Sequence, residues 1–403
     1  MRARHLPDDR PHDGRNVDPE LGALLGEGSH QRVKDLAPSP AAPRSDEVPS
    51  LAYEADRGRS YYGLPLLKEP VWRWYVPAYF YVGGVAGAAA ALGAAAQLAG
   101  WRGSPGPVRQ RHPGVEHRLI GRCRLIATAG AGASAVLLIA DLGRPARFLD
   151  MLRVFRPTSP MNMGTWFLSA FGACCAASTL PHLWPARRPW QRTVSDAAAF
   201  GAGVMGLPLC TYTGVLIANT AVPIWHGTRN ALPVLFGASG AAGAASLLEL
   251  WPPGGTGDDV VHRFSLLGKT LELALGEVFA YEARRVPRVA RPLRRGASGA
   301  LWRTAQVLSA AGLAATALSR RGSPLRRTAG LLGTLGALTL RFAILQAGRA
   351  SARDPLATSE QQRAGRGGAA ELTERDRAGA SHPALRGVGA GRETEAAPRE
   401  EHP

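Results

Sequence analysis

Apolar residues in this chain gather in long unbroken runs. They show neither the i, i+3, i+4 stripe of a water-soluble helix nor the alternation of a half-buried strand. Eight such runs are visible, at about 76–99, 119–140, 162–181, 194–218, 231–251, 263–281, 299–318 and 328–347. Each is close to the length needed to cross a hydrocarbon core of roughly 30 Å. The first, VPAYFYVGGVAGAAAALGAAAQLAG, holds no charge over 25 residues, and the second, LIATAGAGASAVLLIA, ends on Asp141. The sixth, FSLLGKTLELALGEVFAY, is the weakest because it contains Lys269, Glu272 and Glu277. A surface amphipathic helix is its alternative reading, but it sits between two better runs and an even count needs it. The pattern predicts an all-α integral membrane protein with about eight transmembrane helices in residues 61–350. Polar tails, 1–60 and 351–403, are expected to be disordered because their Pro, Gly and charged residues offer too little apolar surface to offset chain entropy.

Composition hides this organisation. The chain has 403 residues, a formal charge of +17 and a mean hydropathy of −0.08, averages that suit a basic soluble protein. Both tails are nearly neutral, and the segment between them carries a net +20. Tails of this kind, without interleaved aromatics, argue against nucleic-acid binding. Small residues recur inside the runs, as in Gly83-x-x-x-Gly87 and Gly237-x-x-Gly240-x-x-Gly243, and point to closely packed membrane helices. Trp72, Trp74, Tyr75, Tyr79 and Tyr81 crowd the start of the first run, and Trp101, Trp184, Trp190 and Trp251 sit near other ends, as an aromatic belt requires. Arginines are tied at eleven on each side, so the positive-inside rule gives no orientation. The opening MRARHLPDDRPHDG has no apolar signal segment, so insertion is expected to be driven by the internal helices.

Candidate chemistry is sparse. Cys123, Cys174, Cys175 and Cys210 have neither zinc nor iron–sulfur spacing. His112, His117, His182, His226 and His262 fall in loops or at span ends, away from the mid-helix depth of haem ligands. The informative segment is 141–160, DLGRPARFLDMLRVFRPTSP. Asp141 closes a span, where a carboxylate is expensive unless paired or facing a polar cavity. Beyond the break at Gly143 and Pro145, Arg144, Arg147, Arg153 and Arg156 alternate with Phe148, Leu149, Leu152 and Phe155. That spacing describes a short interfacial helix, acting as a lid or docking surface, or a loop of snorkelling arginines.

The stretch DLGRPARFLDMLRVFRPTSPMNMGTWFLSAFG strongly resembles the NrfD/polysulfide reductase membrane-subunit family. So do SYYGLPLLKEPVW before the first run, TYTGVLIANTAVPIW at 211–225 and RFAILQAGRASARDP at 341–355. The resemblance spans about 60–355. It implies eight helices built as two four-helix bundles, in a subunit of the cytoplasmic (inner) membrane with neither haem nor metal of its own. Such a subunit binds a quinone, menaquinone or ubiquinone, and exchanges electrons with a ferredoxin-like iron–sulfur subunit and a molybdopterin catalytic subunit. It would be non-catalytic alone.

On this reading Asp141 and Arg144, with Tyr212, Tyr79 and Tyr81, are the candidate quinone-binding residues, Asp141 taking the quinol proton. Asp141 could instead pair with Arg144 or Arg147, and the tyrosines could be packing or belt residues. Lys269 and Glu272, three apart, share a helix face and form a candidate proton pathway or a mutually neutralising pair. Arg147, Arg153 and Arg156 are candidates for docking or for a lid. The alternative function, an ion-conducting or secondary transport protein, calls for inverted repeats and broken helices, and the sequence offers no convincing repeat.

Overall fold

The computed structural model describes residues 66–102, 115–183, 189–320 and 322–364. Residues 1–60 and most of 351–403, the expected polar tails, lie outside the described residues, as do the side chains of Trp101 and Trp184. Eight long helices each contain one of the apolar runs: α1 (Tyr75–Arg102), α2 (Val115–Leu142), α4 (Pro160–Leu183), α5 (Pro189–Ala218), α7 (Ala231–Leu250), α8 (Thr256–Arg284), α10 (Gly296–Leu318) and α11 (Pro324–Ala352). Three short helices join them at one end, α3 (Pro145–Arg153), α6 (Pro223–Gly227) and α9 (Pro287–Arg294), and a fourth, α12 (Pro355–Arg363), follows α11. Helical structure thus continues past residue 351, with Ala357 of α12 buried. Among the described residues, seven of twelve helices open on proline, whose missing N–H is unpaired in a first turn anyway. Gly143, at φ 70°, lets the chain turn sharply between α2 and α3.

Helix α1 packs against α2 and α5, and α4 bridges α2 and α5, making a first ring of four. A second ring runs α7, α8, α10, α11 and back to α7. The rings meet where α1 and α5 lie on α7. Close approach explains the glycines there. A Cβ on Gly87 would strike the backbone of Gly206 in α5, and one on Gly240 would lie 2.8 Å from the carbonyl oxygen of Gly84. Between membrane helices such backbone contact supplies the dispersion attraction that a hydrophobic effect cannot.

Five of the eight, α1, α2, α5, α7 and α11, are long and apolar enough to cross a membrane. Helix α8 is built inside out. Asp258, Ser265, Lys269, Glu272 and Gly276 are buried, while Val260, Leu267, Leu271 and Val278 are exposed. In water this arrangement would be costly on both faces, and in lipid it is favourable on both. The protein is a multi-pass membrane protein. Trp74, Trp190 and Trp251 are exposed near helix ends, as belt residues should be, whereas Tyr79 and Tyr81 are buried and are not belt residues.

Candidate functional site

At the end of the first ring that carries α3, a cleft opens between α1, α2, α4 and α5. Its wall includes Trp72, Tyr79, Asp141, Met151, Gly164 and Tyr212. Three of the five residues predicted to bind a quinone, Asp141, Tyr79 and Tyr212, therefore meet in one place. The cleft is narrow, about 40 Å³, less than a quinone ring needs. Met151 and Met161 are among its walls, and unbranched methionines repack readily.

Asp141 sits in the last turn of α2, the end where the helix dipole disfavours a negative charge. It forms no ion pair with Arg144 or Arg147, the pairing that would have explained it as structural. Arg147 instead donates to Leu142 O (2.8 Å), capping the α2 carbonyls as a cation should. Tyr212 is buried, and its ring fills the space beside Gly164, where a Cβ would overlap it.

Two predicted members do not belong to the cleft. Arg144 is exposed at the N-cap of α3, away from the cleft wall. Tyr81 points to the other side of α1, against Val85 and Cys210 and towards Thr334, Glu272 and Arg341 of the second ring. Residues two apart on a helix lie about 200° apart, so Tyr79 and Tyr81 cannot share a pocket.

The wall has contributors that sequence reasoning missed. Trp72 stacks on Trp225 (centroids 5.7 Å apart, planes at 16°) and meets Phe80 edge-on. Trp225 donates to Ile344 O (3.0 Å). The strand of chain bearing Trp72 is tied to the end of α11, where Arg349 donates to Pro70 O and Trp72 O and Arg353 makes a two-pronged bond to Glu69 (2.8 Å each). Asn162 fixes the α3 loop by donating to Met151 O (2.6 Å) and Val154 O (2.8 Å) and accepting from Arg156 N–H (2.7 Å). Helix α3 itself buries no residue. Arg147, Arg153 and Arg156 are exposed, and so are Leu149, Val154 and Phe155.

A second polar assembly threads the other ring. Lys269 does not pair with Glu272, as its spacing suggested. It bonds Glu249 of α7 (2.7 Å), Thr316 of α10 (2.8 Å) and Ala329 O of α11 (3.2 Å), reaching all three partner helices of the ring. Thr316 also donates to Glu249 (3.0 Å), so both carboxylate oxygens are engaged. Glu272 accepts from Ser309 (2.7 Å), and its other oxygen has no hydrogen-bond partner among the described residues. Arg341, to which the sequence assigned no chemistry, is fully buried, donates to Phe236 O (2.8 Å) and lies 3.8 Å over the Phe236 ring. Towards the far end, Arg326 meets Asp258. The first ring has its own partly buried pair, Arg124–Asp196 (2.8 Å), with Gln97 and Ser195 attached.

A family model described as "Polysulphide reductase, NrfD" matches residues 66–251, from the segment before α1 through the end of α7. Over these residues, a little under half of the chain, the sequence is similar to the NrfD family. The match contains the cleft, α3 and Glu249, while the motif at 341–355 lies beyond it. No curated protein matches the chain. The NrfD family comprises membrane subunits of respiratory oxidoreductase complexes, and its members partner with iron–sulfur and molybdopterin subunits.

Proposed function

We propose that the chain is the quinone-reactive subunit of such a complex and that the α1–α2–α4–α5 cleft is where the quinone ring reacts. The observation carrying this reading is Asp141, a carboxylate without an ion-pair partner among the described residues, at the unfavourable end of a helix and beside two buried tyrosines. Such a placement destabilises the fold, which makes sense where a group must accept a proton. Tyr79 and Tyr212 would hold the ring oxygens, with Met151 and Met161 moving aside as the ring enters. When bound, the quinone supplies a two-electron, two-proton couple. The protein supplies hydrogen bonds, exclusion of water and a proton acceptor. We assign all eight long helices as transmembrane, the two rings being two four-helix bundles, in the cytoplasmic (inner) membrane. The electron partner is a ferredoxin-like iron–sulfur subunit linked to a molybdopterin enzyme, and the exposed arginines of α3, beside the cleft, are its candidate contact or the cleft's lid. The Glu249–Lys269–Thr316 network and Glu272 replace the Lys269–Glu272 pair as the candidate proton pathway.

Mild-detergent purification of the tagged chain, with mass spectrometry and quinone extraction, is the test. A ferredoxin-like protein and menaquinone or ubiquinone should co-purify, and Asp141→Asn should reduce quinone-linked turnover of the complex without loss of partner or insertion. Recovery of the chain alone and free of quinone, with ion flux in liposomes, would favour the transport alternative.

A further inference from the structure

On the same face of the molecule, a second and wider pocket of about 600 Å³ lies between the end of α5, α6 and α12. Its polar lining includes Asn219, His226, Arg229, Asn230, Thr358 and Gln361, and among the described residues no carboxylate lines it. Three of these side chains form a row, with Arg229 Nη1 3.4 Å from His226 Nε2 and Gln361 Nε2 3.4 Å from His226 Nδ1. Thr358 is buried, and its Oγ1 has no hydrogen-bond partner among the described residues. Glu282, outside the lining, is engaged by the Ala231 N–H (3.2 Å). A pocket whose described lining offers a guanidinium, an imidazole, hydroxyls and carboxamides is suited to an anion carrying several acceptor oxygens.

The surroundings select among anions. The pocket lies at the ends of α5 and α7, two helices long and apolar enough to cross a membrane, the level at which a lipid headgroup would sit. Val215 lines it and continues an exposed apolar stripe down α5 through Leu207, Val204 and Phe200. Those spacings keep one face of the helix towards lipid. A free phosphate would use the donors and leave the stripe unused, whereas an amphiphile would use both.

We propose that this pocket binds the phosphate headgroup of an anionic phospholipid, with an acyl chain laid along the α5 stripe. The bound headgroup would brace the end of α5, which also carries Tyr212 and Leu216 of the cleft. The assignment does not depend on a quinone occupying that cleft.

The test uses the full chain with whatever partners co-purify, reconstituted from a phosphatidylglycerol and phosphatidylcholine mixture, re-extracted in mild detergent and assayed for retained lipid and quinone together. The wild-type protein should retain phosphatidylglycerol in preference to phosphatidylcholine. Arg229→Gln should lower that retention about fivefold or more, and Arg229→Lys should recover most of it. Val215→Asn should weaken it without altering the charge. Quinone content, read in the same samples, should stay unchanged. Equal retention of the two lipids, or retention indifferent to Arg229→Gln, would overturn the proposal. So would thermal protection by inorganic phosphate with no lipid preference, which assigns the pocket to a free anion. Loss of quinone with retention of lipid in Arg229→Gln would assign it to the quinone instead.

Discussion

Removing one partner of the Glu249–Lys269 pair is the most stringent check on the second bundle. Both side chains are essentially inaccessible, at 0% and 1% exposure, and their 2.7 Å contact is reinforced by Thr316 and by Ala329 O. An ordinary side-chain hydrogen bond between membrane helices is worth only about 0.6 kcal/mol, because the separated helices find other partners. A buried charge stripped of its counter-charge is different, at about 3–5 kcal/mol. Lys269→Met leaves Glu249 with Thr316 alone. Glu249→Gln leaves the ammonium with only neutral acceptors. Each substitution should therefore shift the unfolding equilibrium by at least about a hundredfold, whereas losing a neutral bond would shift it only about threefold. The assay is reversible unfolding of the purified chain by titrating dodecyl sulfate into mild detergent, followed by helix content. The double variant Glu249→Leu with Lys269→Met should recover most of the loss, since apolar replacement of a whole buried pair is often neutral. Single variants costing less than about 1 kcal/mol, or a double variant costing the sum of the two, would refute the reasoning.

Three further outcomes are expected. Gly164→Ala places a Cβ on the Tyr212 ring, so the ring must leave its present position. Quinone-linked turnover of the complex should fall, with about 1–3 kcal/mol of destabilisation from overpacking, and unchanged turnover would remove Tyr212 from the site. Asn162→Leu forfeits three hydrogen bonds that hold 151–156, so limited proteolysis should cut that loop several-fold faster while α4 stays protected. Charge reversal at exposed Arg147 and Arg153 should lower recovery of the iron–sulfur partner in pull-downs, more at low than at high salt; recovery equal to wild type would leave α3 without a docking role.

Much of the scaffold was legible because membrane-crossing helices obey a local rule. Each run must be apolar enough for lipid, and a run of that kind is visible without its neighbours. The weak sixth run yielded for a related reason. Its three charges break the apolarity rule, yet Leu267, Leu271 and Val278 are exposed while Lys269 and Glu272 are buried against the other helices, and Glu277, the third charge, is exposed nearer the helix end. The motif around Asp141 was likewise contiguous. Tyr81 was misplaced although helical periodicity alone separates it from Tyr79. Arg144 was misplaced because its neighbours in sequence belong to the cleft while the turn at Gly143 carries its side chain out to solvent.

The sequence by itself determined the class of protein, the eight helical segments and the carboxylate at the end of α2, since each follows from polarity along a short stretch of chain. Tertiary structure decided which polar groups meet. Lys269 chose Glu249, twenty residues away on another helix, over Glu272 one turn along its own, because in a low-dielectric interior a charge takes the partner with which it can form a short contact. In the same way Arg349, near the far end of the chain, holds Trp72 over the cleft. Contacts of that range depend on how the bundles pack at Gly84, Gly87, Gly206 and Gly240, and no stretch of sequence read alone contains that geometry.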